Sequence, residues 1–392
     1  MMDSHVATLE DLPRMVADHT EPVGLHDVAV FLVDMQGEVL HEITGKGLDA
    51  GAGGTRLAVD TTVAGLAFQR VEPVVEPDAS CTRERCRWWV PVTDGVERLG
   101  MLRADTEQED DATRGALRGL ASMVALLLLS KRDFSDSYAR LMRTAPMSVA
   151  AEMQWHLTPP SAFAGRTTTV AALSEPAYDV GGDAFDYAVA DDVLHLSVFD
   201  AMGHDARAGL TANLAVAACR NARRQGADLV EVSRAVENTL IEQFGTSRYV
   251  TGILADLDMN TGRLTWINRG HPLPLLLRAG RWSRELRCPP AGPMGVDLGL
   301  PVTVRQEQLQ PGDRVILYTD GVVEARDADG AQFGRERFVD YLVRHHADRL
   351  TVHETLRRLV HAVLGHHDGR LDDDATVLLV EWRDPDQEDL TP

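Results

Sequence analysis

The chain has 392 residues, 44% of them hydrophobic, with 39 Lys and Arg against 60 Asp and Glu and a net charge of −21. The length exceeds one ordinary core and predicts two or three domains, with apolar content ample for globular folding. So negative a chain excludes unassisted binding to nucleic acid or an anionic membrane, where phosphate contacts need Lys and Arg, and fits a soluble cytoplasmic protein.

The opening Met1–His5 has neither the basic start nor the apolar stretch of a signal peptide, and residues 1–21 are read as a segment outside the domains. From Asp27 the text becomes strand-like. Val28–Asp34 leads through a turn at Met35–Gly37 into Glu38–Ile43. The glycine-rich Ala50–Gly54 is a loop, and Val63–Gln69 a short helix. Arg87–Val92 and Leu99–Ala104 are strands around the turn Asp94-Gly95, and a helix runs over 112–129. Its longest apolar run, Met123–Leu129, is too short to span a bilayer. Trp88 and Trp89 are read as packing residues, and Glu107–Asp111 as a solvated helix start.

Four cysteines, Cys81, Cys86, Cys219 and Cys288, form no disulfide framework, and reduced thiols are expected. Cys81 and Cys86 lack the two further soft ligands a zinc site needs. Residues 131–160 read as a helical connector broken at Pro146. Its second part places Ala150, Met153 and Leu157 on one face and stops at Thr158-Pro159-Pro160. A plain linker and a signalling role fit it equally.

Beyond it, strands are expected at 168–173, 193–199, 249–257, 263–268, 274–278, 314–318 and 375–382. Helices are expected at 206–224, 229–244, 335–346 and 353–364, and a frayed acidic tail over 384–392. Strands in groups with helix pairs between them predict packed sheets flanked by helices.

Acidic landmarks recur along this half. They are Val180-Gly-Gly-Asp183, Phe199-Asp200-Ala-Met-Gly-His204, Tyr318-Thr-Asp320-Gly321 and Asp373-Asp-Ala-Thr376. Converging carboxylates repel and need a compensating cation. Hard oxygen ligands suit Mg²⁺ or Mn²⁺, which points to metal-assisted hydrolysis of a phosphoester. An Asp or an Asp-Gly pair taken singly is an ordinary turn former; the ordered set carries the inference.

The 22–130 pattern resembles a GAF-type sensory domain, through Val63-Ala-Gly65-Leu-Ala-Phe68, Val90-Pro91-Val92 and Gly100-Met-Leu102. The C-terminal part, 161–383, resembles the PPM/PP2C-type serine/threonine phosphatases of the bacterial SpoIIE and RsbU branch. Six stretches carry that likeness in order: VGGDAFDY (180–187), FDAMGHDARA (199–208), INRGHPLPLLL (267–277), GPMGV (292–296), LQPGDRVILYTDGVVEAR (309–326) and DDATVLLV (373–380). The resemblance implies an α/β multidomain chain: a GAF-like α+β domain, the linker and an α-β-β-α sandwich. It implies two Mn²⁺ or Mg²⁺ ions on Asp183, Asp200, the Ala201 carbonyl, Asp320 and Asp373, with Asp374 supporting them. No arginine is assigned to the substrate phosphate.

The implied substrate is a phosphorylated STAS-type anti-anti-sigma protein or a similar phosphoprotein. A small ligand at the GAF-like domain and a homodimer are further expectations. Asp205 stands where relatives carry glycine. It is read as a helix cap, with a strain cost if φ is positive there, and is the one feature favouring a non-catalytic binding module. His204 is either a general acid or, preferred, a helix-start histidine. His271 is read as structural, and the pairs His345-His346 and His366-His367 as solvated.

Overall fold

The computed structural model describes residues 7–76, 86–175, 178, 181–203, 205–278, 282–289, 291–347, 351–366 and 373–383. The chain divides into two compact units between Pro146 and Met147, inside the expected 131–160 connector.

The first unit contains α1 (Leu12–Thr20), β1 (His26–Val33), β2 (Val39–Glu42), β3 (Arg56–Ala58), α2 (Val63–Arg70), β4 (Val74–Val75), β5 (Cys86–Asp94), β6 (Glu97–Thr106), α3 (Asp111–Arg132) and α4 (Asp136–Met142). Its strands form one antiparallel sheet in the order β3-β2-β1-β6-β5-β4. Side chains alternate between the faces of a strand. Val30, Leu32, Trp88 and Val90 therefore pack with Leu117, Ala121, Val124 and Leu128 of α3. Phe31, Val33, Trp89 and Met101 pack with Ala64, Ala67 and Phe68 of α2 on the other face. With both faces covered, β1 reads as an unbroken apolar run.

Leu9, Leu12 and Val16 also enter this core, so the segment expected to lie outside the domain is partly built into it. Gly65 is required in α2, because a Cβ there would stand 1.8 Å from the Val59 carbonyl oxygen. Asp110 caps α3, accepting from the Thr113 N–H at 2.7 Å. Among the described residues α3 is the one helix long and apolar enough to cross a membrane by length and composition. Trp88 and Trp89 are both buried, and the Trp88 indole donates to Thr106 Oγ1 at 2.9 Å. Cys86, Cys219 and Cys288 are free thiols; Cys81 lies outside the described residues.

The second unit opens with α5 (Val149–Leu157). It continues through β7 (Ala162–Ala164), β8 (Thr168–Glu175), β9 (Asp183–Ala190), β10 (Val193–Ala201), α6 (Ala206–Arg224), α7 (Leu229–Phe244), β11 (Val250–Asp258), β12 (Arg263–Arg269), β13 (Leu275–Arg278), β14 (Trp282–Glu285), β15 (Arg305–Gln308), β16 (Arg314–Tyr318), α8 (Gly321–Glu324), α9 (Arg335–Ala347), α10 (Val352–His366) and β17 (Ala375–Trp382). Two antiparallel sheets result, β15-β12-β11-β10-β9 and β14-β13-β16-β17-β8-β7.

β17 shows why they stack. Leu378 and Val380 face an inter-sheet core with Val198, Ile253, Ala255 and Val315. Val377 and Leu379 face Phe338, Leu342, Leu356 and Leu359 of α9 and α10. On the other sheet, Phe199, Ala201 and Leu254 meet Ala208, Ala212, Val216, Val236 and Leu240 of α6 and α7. Helix pair, sheet, sheet, helix pair is the expected α-β-β-α sandwich.

Two details depart from the sequence expectation. In α5 the buried residues are Ala150 and Ala151, while Met153 is 45% exposed, so the 150/153/157 face is only half used. His366 is held and not solvated: its Nε2 lies 3.1 Å from the Ala331 carbonyl oxygen. The His346 side chain and His367 fall outside what is described.

Candidate active site

Strand register builds the first half of the site. Asp183 opens β9 and stands directly opposite Asp200 on β10, which stands directly opposite Thr251 on β11. Opposed residues of antiparallel strands share a face, and like charges there destabilise the sheet. The second sheet supplies the other half. Asp320 follows β16, and Asp373 and Asp374 precede β17, where Tyr318 pairs with Val377.

Threonines join the two sheets. Thr319 Oγ1 donates to Asp183 Oδ2 at 2.5 Å and accepts from the Thr376 N–H at 2.9 Å. The buried Asp374 carboxylate accepts from the N–H groups of Gly182 and Asp183, the latter at 3.4 Å. Asp374 thus holds the loop that delivers Asp183.

The glycines of the motifs allow this closeness. A Cβ on Gly321 would lie 2.0 Å from the Asp374 carbonyl oxygen, and one on Gly181 would lie 2.6–2.8 Å from the Asp374 carboxyl. A Cβ on Gly182 would lie 2.7 and 2.6 Å from the carbonyl oxygens of Ala201 and Gly203.

The carboxylates act on one another. Burial, then Asp200 and Asp374, holds Asp183 well above the usual carboxylate range. Burial, then Asp320, Asp373 and Asp374, pushes Asp200 up to about 7, against a hydrogen bond from Thr251. Burial, then Asp373 and Glu324, raises Asp320. These shifts share a cause that a cation would reverse. Among the described residues no three Asp, Glu, His or Cys side chains already close on one point, so the cluster is gathered but not a finished coordination shell. Its donors are carboxylates from two sheets with two main-chain carbonyls beside them. That all-oxygen set fits Mg²⁺ or Mn²⁺ and not a soft metal.

Asp183, Asp200, Ala201, Asp320 and Asp373 therefore lie at one end of the sandwich. Asp205 does not join them. It caps α6 at φ −100°, accepting from the N–H groups of Arg207 and Ala208 at 3.1 and 2.9 Å. The strain considered for it does not arise; Gly203, at φ +89°, holds the left-handed position. His204 is outside the described residues.

Sequence reasoning missed Thr251, Thr319 and Gln154. The Gln154 side chain, on α5, donates to the Asp183 carbonyl. Only Thr319 carried a signal, its place inside Thr-Asp-Gly. His271, expected to hold a strand turn near the site, does so through Asn268. Its ring is buried, 2.8 Å from Thr251 Oγ1 through Nδ1, and burial pushes its pKa down to about 4.

The second unit is similar to known phosphatases. Residues 190–383 match the family model of stage II sporulation protein E (SpoIIE). Protein IcfG of Synechocystis sp. is 28% identical over 134 residues, 34% of this chain and 20% of its own length. The phosphoserine phosphatase RsbU of Bacillus subtilis is 21% identical over 239 residues, 60% of this chain and 69% of its own. Among solved structures, the SiaA-PP2C domain of Pseudomonas aeruginosa superposes with a TM-score of 0.51 at 22% identity, covering 59% of this chain and 94% of that one.

The C-terminal unit is a phosphatase domain of the PPM/PP2C type. Within that class its likeness is to the SpoIIE and RsbU branch.

Proposed function

We propose that the chain is a metal-dependent protein serine/threonine phosphatase. Its substrate would be a phosphorylated regulator of the anti-anti-sigma STAS type. The observation that carries this is the row Asp183–Asp200, faced by Asp320 and Asp373 from the other sheet, with the Asp183, Asp200 and Asp320 carboxyls raised first by burial and then by neighbouring carboxylates.

Asp183, Asp200, Asp320, Asp373 and the Ala201 carbonyl would hold two Mn²⁺ or Mg²⁺ ions. When bound, the ions supply charge neutralisation at the phosphoryl group and activation of the attacking water. The chain's own part is placement. Asp374 and Thr319 fix Asp183, Thr251 stands opposite Asp200 across the strands, and the glycines keep side-chain bulk away from the reacting volume.

The first unit is proposed as a GAF-like sensor that takes a small ligand and dimerises. Gating would pass through α5, whose Gln154 touches the Asp183 main chain and whose C-terminal Leu157 carbonyl accepts from Arg220. A cytoplasmic setting, without nucleic acid or membrane partners, suits the charge of −21. Asp205, an unstrained cap, gives a non-catalytic binding module no support.

The test incubates the full chain and Mn²⁺ with a phosphoserine-bearing STAS-domain protein. Release of inorganic phosphate that stops with EDTA is expected. Phosphate retained on that protein while phosphothreonine or phosphoserine peptides are hydrolysed would overturn the substrate assignment.

A further inference from the structure

β15 is an edge strand whose text, Arg-Gln-Glu-Gln, has no apolar residue. Its register sets Arg305 opposite Trp266 and Glu307 opposite Leu264 of β12. Opposed residues share a face of the sheet, and Trp266 and Leu264 belong to the core between the sheets. Two charged residues are thus turned toward the gap between the sheets. From the facing sheet, Arg284 of β14 stands opposite Leu276, another member of that core, and pairs with Glu307. Charged side chains cannot close a core as apolar ones do, and the edge opens as a cavity of about 590 Å³.

Four arginines, Arg284, Arg287, Arg305 and Arg335, line the cavity against two glutamates, Glu285 and Glu307. Both glutamates are taken, Glu307 by Arg284 and Glu285 by Arg335 at 2.5 Å. Arg305 is exposed and forms no ion pair among the described residues. The Arg287 side chain is 86% exposed and reaches Glu285 only at 4.0 Å. A surplus of positive charge therefore sits at one place in a chain of net charge −21.

The floor of the cavity is a second, independent sign. Trp266 is 3% exposed, and its Nε1 is buried without a hydrogen-bond partner among the described residues. An indole N–H can only donate, and a buried donor left unmade is destabilising. An acceptor completes it. The guanidinium groups select an anion, and their planar forks match the oxygens of a phosphate group. A cavity of this size takes a small molecule.

We propose that this cavity, whose lining shares no residue with the acidic cluster, binds a small phosphate-bearing anion, with the Trp266 N–H at its base and Arg287 and Arg305 as its charge partners.

The test is calorimetric titration of the full chain with inorganic phosphate and, separately, phenyl phosphate, in EDTA and low salt, with a melting curve for each variant. EDTA keeps metal out, so the acidic cluster repels either probe. Saturable binding is expected, weakened at least about tenfold in the double variant Arg287→Gln/Arg305→Gln and at least about threefold in Trp266→Phe, which keeps a ring but loses the N–H. Arg344→Gln, an exposed arginine outside the cavity, is expected to bind as the wild type does. Inorganic phosphate binding at least as tightly as phenyl phosphate identifies the free ion as the ligand; tighter binding of phenyl phosphate identifies an organic phosphate.

No binding of either probe, unchanged binding in the arginine pair or in Trp266→Phe, an equal loss in Arg344→Gln, or binding that appears only with Mn²⁺ overturns the proposal. Should Trp266→Phe unfold, the two exposed arginines still decide it. The titrations need neither metal nor turnover, so the site and the phosphatase reading stand or fall separately.

Discussion

His271 gives the residue scale a measurable consequence. Burial holds its folded-state pKa at about 4, below the roughly 6.5 of an exposed imidazole. Between those values the unfolded chain binds a proton that the folded chain does not. Stability is therefore fully present above pH 6.5 and is lost as pH falls toward 4, by up to about 3 kcal/mol. Denaturant unfolding of wild type and His271→Asn at pH 7.5 and pH 5 checks this; the variant should lose less on acidification. Equal losses would mean that the imidazole is not held neutral.

The aspartates that the fold gathers were legible at this scale because each lies in a short motif with its own glycine or threonine. Thr251 was not. It sits in an ordinary strand text, Val-Thr-Gly-Ile-Leu, and its importance comes from facing Asp200 across β10 and β11, which only register reveals.

Among the elements, the strand–helix junctions carry the site. α6 and α7 were legible at full length because their ends are signalled. Asp205 and Asp228 cap their starts, Asp228 in a capping box with Glu231, and Gly245 follows α7. β9 escaped notice although it opens on Asp183. Its text, DAFDYAVA, includes Asp186, which reads as a polar break but is 1% exposed. There it meets Arg220 and Arg223 of α6 at 2.7 and 2.9 Å. A buried carboxylate with two guanidinium partners looks in sequence like a surface residue.

β14 and β15 were missed for another reason: four-residue edge strands carry too short a pattern to register. The junction also predicts a fragile position. Gly182→Ala drives a methyl into the carbonyls of Ala201 and Gly203, and overpacking of this kind costs about 1–3 kcal/mol. A urea melt should show that loss, with Mn²⁺ affinity falling in parallel. An unchanged midpoint would show that the loop relaxes freely.

Across the whole molecule, grouped strands between helix pairs were enough to expect the sandwich, because β17 and its neighbours must bury both faces. The boundary between the units was not readable. Composition marks Ser130–Pro160 as one connector, whereas contacts assign its parts to different units on either side of Pro146. Nor was the joining of Leu9, Leu12 and Val16 to the first core, since so short an apolar pattern has no meaning until a sheet face is there to receive it.

The central claim is that carboxylates from two sheets form one divalent-cation site that hydrolyses phosphoesters. Its most direct test is Mn²⁺-dependent hydrolysis of p-nitrophenyl phosphate by the full chain, run beside Asp200→Asn and Asp320→Asn. Turnover that needs Mn²⁺ and disappears in both variants, with their folds intact by circular dichroism, is the predicted result. Turnover that survives either substitution, or that proceeds in EDTA, would contradict it.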